Sequence, residues 1–384
     1  MAYLESKPRY EILDGLRGVA AMMVVAFHLF ETYSGGPLSQ IINHGYLAVD
    51  FFFVLSGFVV GYAYDDRWGK MTTIDFFKRR LVRLHPMLIA GGLFGVLMFY
   101  FGDCPTFPLI NQTSVGMLLL MFLIASLMIP MPESMDIRGW GENYPINGPQ
   151  WSLFLEYCAN IIYAFILRRL PNIVIALLVL VSAVFTLDLG LGWNLLGDMP
   201  ENIYSAGTFI GGWGVVGWQL HIAIVRLSFP FLVGLLISRT KRFVTLKGGF
   251  WWCALMIVIV LAIPRIGGAN PDDFWMNGLY ESLSILLLFP LLVAIGAGSR
   301  MTDARSQRIC KFFGDISYPI YITHYPLIYM QMSWVASHEG ASPMQHIFVS
   351  VALFFLAIGL SYGLLKLYDE PVREWLKNNF LKKR

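Results

Sequence analysis

Charge is what this chain is short of. Asp, Glu, Lys and Arg make up 14% of its 384 residues, against about 25% in an ordinary soluble domain. There is too little polar side chain to clothe a water-facing surface, and disorder and coiled coil, both charge-rich, are excluded by the same shortage. Cysteine is scarce as well. Cys104, Cys158, Cys253 and Cys310 lie far apart, with no CxxC pair and no metal-ligand spacing, which excludes a disulfide scaffold and leaves no metal site to expect. A net charge of +3, without a basic run interleaved with aromatics, offers nothing to nucleic acid. What is abundant is apolar: hydrophobic residues are 57% of the chain. This is the composition of a polytopic membrane protein.

A bilayer core needs about 20 mainly apolar residues per helix. Candidate spans run near 16–34, 46–64, 86–102, 114–130, 150–169, 171–188, 220–238, 249–264, 279–297, 315–335 and 346–367. Strict alternation of all of these from a cytoplasmic N-terminus puts Arg168–Arg169 and the clusters at 239–247 and 300–311 outside, against the positive-inside rule. The clash disappears if 114–130, which is short and ends in Pro130-Met131-Pro132, is re-entrant or interfacial. Ten crossings remain, both termini are cytoplasmic, and every Lys and Arg except Arg138, Arg226 and Arg265 falls inside. The first segment lacks a small-residue cleavage site and is interrupted by Arg17 and His28, so it is expected to stay as a span. The expected fold is a single all-α helical bundle over 1–384, without a further C-terminal soluble domain. The outer connections 131–149 and 189–219 carry Trp140, Tyr144, Trp193, Tyr204, Trp213 and Trp218. They suit either a sugar or the interfacial aromatic belt.

Ionisable residues inside spans are expensive and mark function. His28 and Glu156 lie at matching depth from the outer side, Asp50 is slightly shallower, and His324 is near the middle of 315–335. Together they imply a polar pocket in the outer half of the membrane. Arg17 and His28 are eleven residues apart, close to three helical turns, so they share one face about 16 Å apart. Ser152 and Glu156 share another. Arg80 and Arg83, three residues apart, present two guanidinium forks that suit phosphate; an anchor against anionic lipid is the other reading.

These segments resemble the acyltransferase-3 family of integral membrane O-acyltransferases, in order along nearly the whole chain. Leu13-Asp14-Gly15-Leu16-Arg17 leads to His28; Gly45–Phe58 is similar to the family's second-span signature, with Ala48 where glycine is commoner. Arg80-Leu81-Val82-Arg83 with Pro86, Gly148–Glu156 containing Trp151-Ser152-Leu153, Ile316–His324, and Glu370-Pro371 follow. The resemblance implies transfer of an acyl group, often acetyl, from cytoplasmic acyl-CoA to a carbohydrate or glycolipid hydroxyl, by a multi-pass protein of the bacterial plasma (inner) membrane. It makes Arg17, His28, Arg80 and Arg83 the functional positions.

Residue pattern and resemblance together suggest a two-ended site. Arg80 and Arg83, with Arg17 nearby, would hold the coenzyme A phosphates. His28 would take the proton of the acceptor hydroxyl, with Glu156 or Asp50 orienting the imidazole; an acyl-histidine intermediate is the other route. Ser152, Tyr321 and His324 are the expected substrate contacts. A secondary transporter or flippase also needs buried carboxylates and histidines, but paired inverted repeats are missing. A non-catalytic glycan-binding protein would explain the aromatics and not the Arg17–His28 face.

Overall fold

A computed structural model describes residues 7–381 apart from 35, 37, 38, 102–105, 108, 201–207 and 269. Cys104, Tyr204 and the terminal Lys382, Lys383 and Arg384 lie outside the described residues. The regular secondary structure of the described residues is all helical, as lipid demands: a backbone without water must satisfy its own hydrogen bonds. The α-helices are α1 (Glu11–Glu31), α2 (Ala48–Tyr64), α3 (Thr73–Phe101), α4 (Val115–Ser126), α5 (Gln150–Phe165), α6 (Asn172–Leu191) and α7 (Gly217–Thr240). They continue with α8 (Gly249–Ala262), α9 (Phe274–Leu283), α10 (Phe289–Gly298), α11 (Ala304–Thr323), α12 (Tyr325–Ser337), α13 (Pro343–Leu364) and α14 (Glu370–Leu376). Local chemistry sets several boundaries. Asp303 caps α11 through the Ser306 amide, Ser342 and Gln345 form a reciprocal capping box on α13, and Gly192 ends α6 in the left-handed region.

Among the described residues, eight helical stretches are long and apolar enough to cross a membrane. The segment expected to be re-entrant contains α4, whose 12 residues extend only about 18 Å at 1.5 Å per residue, short of the roughly 30 Å hydrocarbon core. The segment 315–335 is not one helix. Pro326 has no N–H to give the Ile322 carbonyl four residues back; Asn147 Nδ2 donates to that oxygen instead at 2.8 Å. The chain breaks at His324, between α11 and α12. Arg80 and Arg83 lie about two turns inside α3, which begins at Thr73.

Two helix pairs are locked at close range. A Cβ on Gly18 of α1 would stand 2.2 Å from the Phe313 carbonyl oxygen of α11. Between α2 and α7 the approach is reciprocal: Cβ atoms on Gly57 and Gly234 would each stand 2.0 Å from a backbone oxygen, of Phe231 and Val54 respectively. Only glycine permits these contacts.

Candidate active site

Helices α1, α2, α3, α5, α11 and α14 enclose a cavity of about 890 Å³, within the ~300–1,000 Å³ range of ligand sites. One end is strongly basic. Arg17 comes from α1, Arg79, Arg80 and Arg83 from α3, Lys311 from α11 and Arg373 from α14. Leu365, Asp369, Arg373, Lys377 and Leu381 line the cavity at four-residue steps, so one face of the C-terminal helix is its wall. At the other end stand Phe52, Ser152 and Tyr321. Their rings and hydroxyls meet there: Phe52 and Tyr321 are edge to face at 5.4 Å, and the Ser152 and Tyr321 hydroxyls are 2.6 Å apart.

The arginines foreseen from sequence converge on this cavity. Arg17 Nε donates to Ser317 Oγ at 2.8 Å and its other end is 3.2 Å from Asp14. Arg80 is 3% exposed and is paired with Glu156, which also accepts from Ser56 Oγ at 3.1 Å. Glu156 therefore belongs to the cavity wall and to Arg80. Asp50 is elsewhere again, in an ion pair with Arg226 at 2.7 Å, both side chains almost wholly buried. Arg226 further donates to the carbonyls of Gly211 and Tyr46, stitching α2, α7 and the connection before α7. The Arg–carboxylate fork, fully hydrogen-bonded, is the form in which a charge survives such burial.

The carboxylate at the His28 imidazole is Glu31, whose Oε2 is 2.7 Å from Nδ1. Sequence reasoning missed it, although three residues along a helix is a contact distance. The His28 ring lies 5.4 Å from that of His324 and 4.7 Å from Tyr325. His324 in turn is 6.0 Å from Tyr321, so aromatic rings run unbroken from the cavity's end to His28.

Beyond Tyr325 the column continues through Tyr329 at 4.7 Å. The Tyr329 hydroxyl donates to Glu142 at 3.2 Å, and the Arg138 guanidinium lies over its ring. Burial pushes the Glu142 carboxyl up to about 7, against the opposing pull of Arg138. Of the outer aromatics expected at a sugar site, Trp140 is part of this cluster, 6.4 Å from Tyr329. Tyr144 is fully buried and Trp193 is exposed. Trp213 and Trp218 pack against the core. Cys253 and Cys310 are buried and Cys158 partly so, and no group of three His, Cys, Asp or Glu among the described residues is placed to hold a metal.

Residues 10–366 match the acyltransferase-3 family, described as an acyltransferase domain. The chain is 25% identical over 387 aligned positions to the O-acetyltransferase OatA of Staphylococcus aureus, covering 96% of this chain and 58% of that protein. It is 24% identical to the putative peptidoglycan O-acetyltransferase YrhL of Bacillus subtilis, covering 94% and 54%. Over 163 residues it is 32% identical to protein 2 in the picA locus of Rhizobium radiobacter, 41% of this chain and 81% of that one. The chain thus spans a little over half the length of the two O-acetyltransferases. No solved structure matches it.

Proposed function

The chain belongs to the acyltransferase-3 family, and from that membership we propose that it moves an acetyl group from cytoplasmic acetyl-CoA to a hydroxyl of a cell-surface carbohydrate. The observation that carries the reading is the cavity, basic at one end and leading toward two adjacent histidines at the other. Coenzyme A has phosphates at one end and a thioester at the other, and the cavity has the same polarity. Arg80, Arg83 and Arg17 hold the phosphates through charge-assisted contacts. The pantetheine arm runs between α1, α2 and α5 toward Tyr321. His28 takes the hydroxyl proton, and Glu31 holds its Nδ1 so that Nε2 faces the reaction. The similarity to the putative peptidoglycan O-acetyltransferase YrhL supports a glycan acceptor, which enters from the side of Trp140.

The basic residues orient the protein with its arginine end in the cytoplasm of a bacterium's inner membrane, with ten crossings counting α8 and the broken α11–α12 segment. Cysteine labelling tests this: position 140 reacts from outside and 242 from inside, and the reverse at 242 refutes it. The activity test is release of free coenzyme A from acetyl-CoA by purified protein, with mass spectrometry of surface glycans from a deletion strain. Saturable thiol release whose steady turnover with acceptor is lost in His28→Ala, with donor binding kept, supports the reading. Donor binding without thiol release under any condition refutes it and leaves a transporter.

A further inference from the structure

His324 has chemistry that a single-base mechanism does not use. Its side chain is wholly buried. Nδ1 lies 3.1 Å from the Ile320 carbonyl oxygen and 2.9 Å from that of Tyr321. Carbonyl oxygens only accept, so Nδ1 carries the proton. In the neutral ring the lone pair then falls on Nε2, and that atom is buried with no hydrogen-bond partner among the described residues. A histidine kept only for packing would meet that lone pair with a donor, because a buried acceptor left unmet is destabilising. The ring stands between Tyr321, on the cavity wall, and His28. A thioester advancing past Tyr321 reaches His324 before it reaches His28.

We propose that His324 is the nucleophile that takes the acyl group from the thioester, and that His28 serves only the second half of the reaction. The proposal rests on the acyl-transfer reading above. In the first step Nε2 attacks the thioester carbonyl carbon. The C–N bond forms, the C–S bond breaks, and coenzyme A leaves as a thiolate, its negative charge balanced by the acyl-imidazolium. The Nδ1 proton stays where it was, and its two carbonyl acceptors stabilise the positive ring. No general base is needed, since the attacking nitrogen is already unprotonated. In the second step the acceptor hydroxyl attacks the same carbon, its proton goes to Nε2 of His28, and the C–N bond breaks to restore neutral His324. His28 then gives its proton to water and the thiolate takes one up, so thioester and alcohol become ester and thiol. Splitting the transfer lets donor and acceptor approach from opposite ends without meeting.

Asparagine at 324 keeps an N–H donor for the helix carbonyls and removes the Nε2 lone pair. Purified wild type, His324→Asn and His28→Ala are mixed with radiolabelled acetyl-CoA without acceptor. Released thiol and protein-bound label are read after a denaturing quench, beside acetyl-CoA binding and thermal stability. Wild type is expected to release one thiol per protein in a burst and to carry hydroxylamine-sensitive label at residue 324. His28→Ala accumulates that label, because only the second step is blocked. His324→Asn binds donor with unchanged affinity, shows neither burst nor label, and transfers about 10³-fold or more slowly. Near-normal transfer by His324→Asn overturns the proposal and leaves the acyl-transfer reading standing. So does a His28→Ala protein that binds donor yet takes no label, a readout independent of how well His324→Asn folds. Absence of thiol release from wild type with acceptor present overturns both.

Discussion

Arg80 is asked to do two things, to neutralise Glu156 and to bind phosphate, and a double-mutant cycle separates them. The two side chains are 4% and 24% exposed. Breaking a buried pair typically costs about 3–5 kcal/mol because a lone charge is left behind. In Arg80→Ala the stranded group is Glu156, which faces the cavity and keeps Ser56, so the loss belongs at the lower end, about 3 kcal/mol. Glu156→Gln strands the more deeply buried guanidinium and belongs at the upper end. Combined, the two changes strand nothing, and a coupling of about 2 kcal/mol is expected.

Donor affinity behaves differently. Each lost charge-assisted phosphate contact is worth about 1.5–3 kcal/mol, roughly 10- to 150-fold. The assay is thermal unfolding in detergent beside acetyl-CoA titration on the same four proteins. Arg80→Ala/Glu156→Gln should recover about 2 kcal/mol of the summed stability loss and none of the affinity. Recovery of wild-type affinity in the double variant would show that Arg80 serves Glu156 alone. Additive losses of stability would show that the ion pair is not made.

Asp50→Asn should cost about 3–5 kcal/mol by stranding Arg226, whereas Asp50→Leu with Arg226→Met should fold and still transfer acyl groups; a stable but inactive Asp50→Asn would return Asp50 to the chemistry. Glu31→Ala should slow transfer by about 10- to 150-fold, the worth of a charge-assisted bond, with acetyl-CoA affinity unchanged; normal turnover would reduce the His28–Glu31 contact to decoration. Glu142 gives a pH signature. Its folded carboxyl titrates near 7, above the usual 4.3 or so of a free glutamate, so the folded state holds a proton that the unfolded chain has released. Its contribution is fully present below the unfolded value and is lost as pH rises through about 7, on the order of 3 kcal/mol in all. Melting temperatures from pH 4.5 to 8 should show this decline in wild type and lose it in Glu142→Gln; parallel curves would dismiss it.

Depth along a helix can be read from a sequence; azimuth and neighbours cannot. That is why Arg17, Arg80 and Arg83 were foreseen together while Asp50 and Glu156 were assigned to the wrong neighbourhood. Their partners are set by packing between segments 176 and 76 residues apart. Arg226 had been set aside as a stray cation in the topology count, yet it is the counter-ion of Asp50. The break at His324 had a visible cause in Pro326, hidden by the apolar run around it. The four-residue stripe from Leu365 to Leu381 was equally visible, but nothing in a lone helix says what its face will meet. Glu31 is the exception, a local contact that the sequence alone contained.

The glycine contacts have a mechanical consequence. Backbones that touch at Gly18–Phe313 and at Gly57–Gly234 cannot slide without unseating one another, so α1 with α11 and α2 with α7 behave as fixed masonry. The cavity is bounded by that masonry on one side and by α3, α5 and α14 on the other, and α3 packs on α14. Widening is easier on the second side, where the Tyr318 hydroxyl of α11 holds the Leu84 carbonyl of α3 and the close backbone contact comes farther along, at Gly91. Pro86, inside α3 and three residues beyond Arg83, supplies the flexure, since a proline there removes one rung of the helix ladder. The arginine-bearing end of α3 can then tilt while its far end stays seated, so that, on the proposed function, the groups that grip the donor and the wall that closes around it are one moving part.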